Sequence, residues 1–113
     1  MNVYDNANEL AKAMRESHEY KKLKEAAVVL EKDPDTKKMV NEYLMAAQEV
    51  EFAKHQGKTP DAAAMDKLEK LQGILNLNSD AMQYLNALIR FQMMLMDVTN
   101  TIQDVVKEAM GEK

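Results

Sequence analysis

Apolar residues recur along this chain at intervals of three and four positions, the spacing that places side chains on one face of an α-helix. No stretch alternates apolar and polar residues over enough positions to indicate a β-strand. The first stripe holds Val3, Ala7, Leu10 and Met14, and the second holds Tyr20, Leu23, Ala27 and Leu30. The phase changes between them around Ser17 and His18, so the pattern predicts two helices with a break at that point.

Helix-boundary residues divide the middle of the chain. Asp33 can accept hydrogen bonds at a helix N-cap and Pro34 suits the first helical position, so a third helix is predicted to start there and to run to about His55. The next five residues, Gln56–Pro60, read as a loop in which Gly57 takes the left-handed conformation and Thr59-Pro60 restarts a helix. So short a connection predicts two antiparallel helices.

The third and fourth helices each carry an apolar stripe that is predicted to face inward. The third stripe holds Val40, Tyr43, Ala47 and Val50, and the fourth holds Ala64, Leu68, Leu71 and Leu75. Polar residues then interrupt the pattern, and Asn78 or Ser79 can cap the helix that follows.

The last predicted helix, from about Asp80 to Met110, carries the longest stripe. Its members keep a heptad spacing without a polar interruption: Tyr84, Leu88, Phe91, Leu95, Val98, Ile102, Val105 and Ala109. Further apolar side chains widen this stripe to more than half of the helix circumference, so the helix is predicted to be covered on several sides. A membrane-spanning helix is disfavoured because Arg90, Asp97 and other polar residues interrupt the apolar run.

The length of this helix bears on the oligomeric state. Thirty-one helical residues extend about 46 Å, whereas a compact domain of this size has a diameter of about 34 Å. The expected fold is therefore all-α: an elongated antiparallel bundle of about five helices, one domain over residues 1–113, completed as a homodimer by a second copy along the last helix. The residues predicted for the dimer or partner interface are Leu88, Phe91, Met94, Leu95, Met96, Val98 and Ile102.

Composition excludes several classes of protein. The 113 residues are 46% hydrophobic and 30% charged, which suits a folded domain, and the lack of cysteine rules out disulfides, thiolate metal sites and thiol nucleophiles. The net charge of −4 makes nucleic acid an unlikely partner. Because the amino terminus lacks a basic segment followed by an apolar run, no signal peptide is expected and a cytoplasmic location is predicted.

No motif in the chain supports catalysis or cofactor binding. Gly57-Lys58-Thr59 resembles the end of a phosphate-binding loop, but the required earlier glycine falls at Phe52. His18 and His55 lack the neighbours of the helical metal motifs. We therefore expect no enzyme activity, no cofactor and no metal.

Several short segments, in the order in which they occur, resemble the YlbF/YmcA-like bacterial family and its small YheA-like branch. They are Asn2-Val3-Tyr4-Asp5 with Ala7 and Glu9-Leu10-Ala11, Ser17-x-Glu19-Tyr20-Lys21, Leu30-Glu31-x-Asp33-Pro34, Gln56-Gly57-Lys58-Thr59-Pro60 and Leu75-Asn76-Leu77-Asn78. The resemblance, which runs from about Asn2 to Met110, implies an all-helical, dimeric, cytoplasmic protein. Other branches are linked to competence, sporulation and biofilm development through a complex that modulates an endoribonuclease, and the family offers no catalytic residues to transfer.

Three functional hypotheses follow. The first is a non-enzymatic helical dimer that binds another cytoplasmic protein as an adaptor or regulator. The second is an RNA-associated accessory factor to an RNA-processing complex, in which Arg15, Lys21, Lys22 and Lys24 form a basic ridge in the dimer. The third is a carrier of an apolar small molecule among the methionines.

Overall fold

The computed structural model describes residues 2–112, which form five α-helices and no β-strand. This confirms the all-α prediction and the long C-terminal helix. The helices are α1 (Val3–Glu16), α2 (His18–Glu31), α3 (Pro34–His55), α4 (Ala62–Leu75) and α5 (Ser79–Ala109).

The predicted break between the first two helices is confirmed at Ser17. This residue has extended backbone angles, with φ −70° and ψ 154°. Its Oγ accepts a hydrogen bond from the Tyr20 N–H at 3.1 Å, and its hydroxyl donates to the Met14 carbonyl at 2.6 Å. One side chain thus satisfies backbone groups at the end of α1 and at the start of α2, which is why the helix is interrupted here.

The boundaries of α3 agree with the sequence, whereas the start of α4 does not. Asp33 caps α3 and Pro34 is its first residue. Gly57 has a φ of 72°, the left-handed conformation predicted for it. The prediction that Thr59-Pro60 restarts the helix is wrong, because Asp61 is the N-cap: its Oδ1 accepts from the Ala63 N–H at 3.2 Å, and α4 begins at Ala62.

The described residues group into two compact units. The core unit comprises residues 26–84, and the terminal unit comprises residues 2–25 and 85–112. α2 and α5 each contribute residues to both. The prediction of a single domain stays a prediction.

Nearly all of the buried apolar side chains belong to the core unit. Within it α3 packs against α4, and the six-residue connection makes the pair antiparallel. The predicted stripes supply most of this core, while Tyr43, Ala47 and Leu68 are only half-buried. The buried apolar residues of the core unit are Leu30, Val40, Ala46, Val50, Ala64, Leu71, Leu75 and Ala81.

A hydrogen-bonded chain ties the start of α3 to the start of α5. The Asp33 carboxylate accepts from the Thr36 backbone N–H at 3.3 Å and from the Thr36 hydroxyl at 2.6 Å. The Asn78 side-chain amide donates to the Thr36 hydroxyl oxygen at 3.2 Å, and its Oδ1 accepts from the Ala81 N–H at 3.0 Å. Of the two predicted capping candidates, Asn78 is therefore the one that caps α5, and it also joins two helix ends that lie 42 residues apart in the chain.

The stability of the protein is expected to depend on Asp33 in acid. The Thr36 hydroxyl and then the Thr36 N–H lower the pKa of this carboxyl below its usual value by stabilising the charged form. A group with a lowered folded pKa contributes fully above its unfolded pKa of about 3.9, and the contribution is lost as the pH falls through the folded value.

The measurement is the free energy of unfolding of the wild type and of Asp33→Asn between about pH 2 and pH 6. The wild type should be the more stable protein at the upper end, and the difference should shrink at the lower end. A difference that is constant with pH would show that the Asp33 charge contributes nothing to stability.

Candidate interaction surface

The terminal unit has almost no core of its own. Leu85, at 9% exposure, is its one buried apolar residue among residues 2–25 and 85–112. α1 contains no buried residue. An isolated helix of 14 residues is marginally stable in water, so α1 needs an apolar surface to pack against. Within a single chain, little such surface covers α1.

The predicted interface residues fall into two groups. Leu88, Phe91, Met94 and Val98 are half-buried within the chain. The other three are exposed: Leu95 by 44%, Met96 by 56% and Ile102 by 54%. Even where these seven side chains are packed within one chain, they leave apolar surface accessible to solvent. Their role in a dimer interface stays a prediction.

One aromatic contact shows where α2 lies against α5 in the terminal unit. The ring centroids of Tyr20 and Phe91 are 6.3 Å apart, with the ring planes tilted by 52°. Tilted aromatic pairs at such a distance are favourable beyond the area they bury. Phe91 is thus positioned by its own chain, whereas Ile102, three helical turns further along α5, is left open.

Other apolar residues of the terminal unit are exposed although they are not among the seven predicted for the interface. Val3 and Tyr4 on α1 are about four-fifths exposed, and Val105 and Val106 on α5 are also exposed. Val3 and Val105 were recognised as members of apolar stripes. Their exposure could not be read from the stripe, since a stripe shows which face is apolar but not whether anything covers it.

The two units differ in charge. The terminal segments 1–25 and 85–113 hold eight Lys and Arg against nine Asp and Glu, a net charge of −1. The segment 26–84 holds seven against ten, a net charge of −3. A second copy would therefore meet little electrostatic repulsion at the terminal unit and more at the core unit.

The described residues show no arrangement suited to metal chemistry. Within residues 2–112, no three His, Asp or Glu side chains come together as a metal site would require. His18 and His55 are exposed and lie at the start of α2 and the end of α3. None of the helices described, α5 included, has the apolar length needed to cross a bilayer.

Residues 2–112 form five helices and no strand, which defines an all-α protein, and α5 carries more exposed large apolar side chains than any other helix. The chain belongs to the YlbF/YmcA family: the family described as control of competence regulator ComK, YlbF/YmcA, matches residues 3–107. This match confirms the resemblance noted in the sequence.

Relatives of similar length support the same assignment. A UPF0342 protein of Caldicellulosiruptor saccharolyticus is 36% identical over 112 residues, which cover 99% of this chain and 90% of the relative. A UPF0342 protein of Streptococcus pneumoniae is 30% identical over 107 residues, covering 95% and 96% respectively. The family description names a regulatory process, and neither it nor the names of these relatives refers to an enzymatic activity.

Proposed function

We propose that this protein is a cytoplasmic, non-enzymatic helical adaptor or regulator that acts as a homodimer and binds another protein. The observation that carries the proposal is the terminal unit, in which three helices contribute a single buried apolar residue. Such a surface is unfavourable in water and is suited to contact with another chain. The family description names a regulatory process, which supports the proposed role as an adaptor or regulator.

A second copy is the simplest partner for the terminal unit. In a two-fold dimer the same patch meets itself, so the heptad-spaced residues of α5 in one chain can pack against those of the other. The near-neutral charge of the terminal unit allows this approach. The proposed interface holds the seven residues chosen from the sequence, and Val3, Tyr4, Val105 and Val106 extend it.

In such a dimer, the protein partner must bind to surfaces outside the dimer interface. The proposal assigns no catalytic residue, cofactor or metal, and the regulated process is reached through binding alone. The carrier hypothesis has no comparable support: a groove at the start of α3 is open and is lined by charged and polar side chains as well as Met45, which does not suit an apolar ligand.

RNA binding is the alternative function that the same preparation can test. Lys21, Lys22 and Lys24 are exposed, but Lys22 lies 3.9 Å from the Glu25 carboxylate and the terminal unit has no excess of positive charge. Protein contact is therefore the better-supported function. RNA binding at low salt that weakens steeply as salt is added would favour the accessory-factor hypothesis instead.

The experiment that tests the dimer is light scattering on a sizing column over a range of concentrations. The expected mass is twice 12.9 kDa, unchanged on dilution through the micromolar range. A mass of 12.9 kDa at micromolar concentration would contradict the homodimer. Capture of the dimer by a second, identified protein tests the adaptor function separately, and recovery of the protein alone counts against it.

A further inference from the structure

A second exposed apolar surface lies on α3, in the core unit. Met45 is 70% exposed and Phe52 is 63% exposed. The two residues are seven positions apart, so they lie on nearly the same side of the helix about 10.5 Å from one another. We call this pair the outer row.

The outer row faces away from the core of its own chain. Val40 and Val50 are buried, and each lies roughly 140° around the helix from Met45, one in each direction. α3 therefore has one apolar side packed within the core unit and a second apolar row exposed on the opposite side. Single exposed apolar residues are common, but two large ones in heptad register on one helix form an apolar row that the anchors of an amphipathic helix can cover.

Carboxylates run beside the outer row at the same spacing. Glu42 and Glu49 are also seven residues apart, and both lie within roughly 60° of Met45 on the same side of it. In the part of the chain that the structure describes, the ion pairs join Lys22 to Glu25, Lys37 to Glu31 and Lys70 to Asp66. The carboxylates of Glu42 and Glu49 thus have no cationic partner in the described chain.

An open groove continues the surface toward the start of α3. Pro34, Lys38, Asn41 and Met45 are among the residues that line it. Lys38 is the exposed cation on this side of the helix, and the Lys37 ammonium is paired with Glu31. Across residues 2–112, Glu42 and Glu49 have no ion-pair partner, and Lys38 is the one exposed cation beside them. The surface around the outer row therefore has a net negative charge.

We propose that the outer row is the site at which the adaptor binds its protein partner, and that the partner presents a basic amphipathic helix. This inference rests on the proposed adaptor function and names the chemistry of the partner. Its apolar residues would cover Met45 and Phe52, and its Lys or Arg side chains would meet Glu42 and Glu49. A second copy is disfavoured as the occupant, because the same row would then bring carboxylates against carboxylates and the core unit already has a net charge of −3.

The test uses two designed helical peptides and the full-length protein. One peptide carries leucines at heptad spacing flanked by lysines, and the other has glutamate in place of each lysine. Binding is measured by fluorescence anisotropy at about 20 mM and about 300 mM salt, because surface charge contacts weaken as the Debye length shortens. The lysine peptide should bind, the glutamate peptide should not, and salt should weaken the binding several-fold.

Matched variants locate the binding site. The double variant M45S/F52S should weaken binding of the lysine peptide about tenfold or more, since apolar anchors supply most of the affinity of such contacts. E42Q/E49Q should weaken it several-fold at low salt and hardly at all at high salt. The controls on α4 are Ile74→Ser, which replaces a 52%-exposed apolar residue, and Glu69→Gln, which removes an exposed carboxylate; both should bind as the wild type does.

Several outcomes overturn the inference. Equal binding of the two peptides, or equal losses in the α4 controls, would show that the contact is not specific to the outer row. If M45S/F52S unfolds, E42Q/E49Q still decides the matter, because unchanged low-salt binding in that variant contradicts the charged contact. Dissociation of the dimer by either double variant would assign the outer row to self-association, whereas loss of peptide binding from an intact dimer leaves the homodimer proposal standing.

Discussion

Replacing Leu75 with alanine is expected to lower the free energy of unfolding by about 2–5 kcal/mol. The side chain is 1% exposed and is one of the largest fully buried groups in the chain, so its removal loses apolar contacts and leaves a cavity in the core unit. In a chain of this length, such a loss corresponds to a fall in melting temperature of roughly 10 °C or more. Thermal and denaturant unfolding measure the change.

The chain offers a matched control two residues away. Leu77 has the same side chain but is 90% exposed, so Leu77→Ala should change stability by no more than about 0.5 kcal/mol. Similar effects of the two substitutions would contradict the assignment of Leu75 to the core.

The second large effect is expected from Leu95→Asp. In one chain Leu95 is 44% exposed, so a carboxylate there would remain partly hydrated and do little harm. In the proposed dimer the same position is covered, and the charge would lose its hydration without gaining a partner. The dissociation constant of the dimer should rise at least about 100-fold, or roughly 3 kcal/mol. Light scattering at several concentrations measures this change.

Asn86→Asp is the control for the Leu95 substitution. Asn86 is exposed and lies on the other side of α5, roughly 180° around the helix from Leu95. The Asn86→Asp substitution introduces the same charge into the same helix and should leave the dimer intact. If Leu95→Asp also remained a dimer with an unchanged melting temperature, Leu95 would not lie in an interface.

Local chemistry made most helix boundaries predictable. Ser17 and Asp33 carry side chains that satisfy free backbone N–H groups, and Gly57 takes a conformation that other residues avoid, so each marks a boundary independently of its surroundings. The start of α4 was misplaced because Thr59-Pro60 and Asp61 are both reasonable start signals. The carboxylate of Asp61 reaches the free N–H of Ala63, which decided between them.

Packing was less predictable than the boundaries. The stripe on α3 identified Val40 and Val50, but it passed over Ala46, a small residue whose 5% exposure results from the close approach of neighbouring helices. For the candidate interaction surface too, the apolar pattern did not predict which residues are exposed. The heptad on α5 indicated which side chains are apolar, but it could not show that Phe91 is half-buried beside Tyr20 or that Ile102 is exposed. Exposure of Met45 and Phe52 likewise became visible only when the buried side of α3 was known.

The nearly empty core of the terminal unit has a consequence for how the protein is maintained in a cell. If dimerisation buries the exposed apolar residues of the terminal unit, the amide protons in the last three turns of α5 should be protected from hydrogen exchange in proportion to the fraction of chains that are dimeric. Protection there would rise with protein concentration, while protection near Val40 and Leu75 would not. Newly made or diluted chains would then expose their ends to proteases, so the abundance of the protein would itself determine its lifetime.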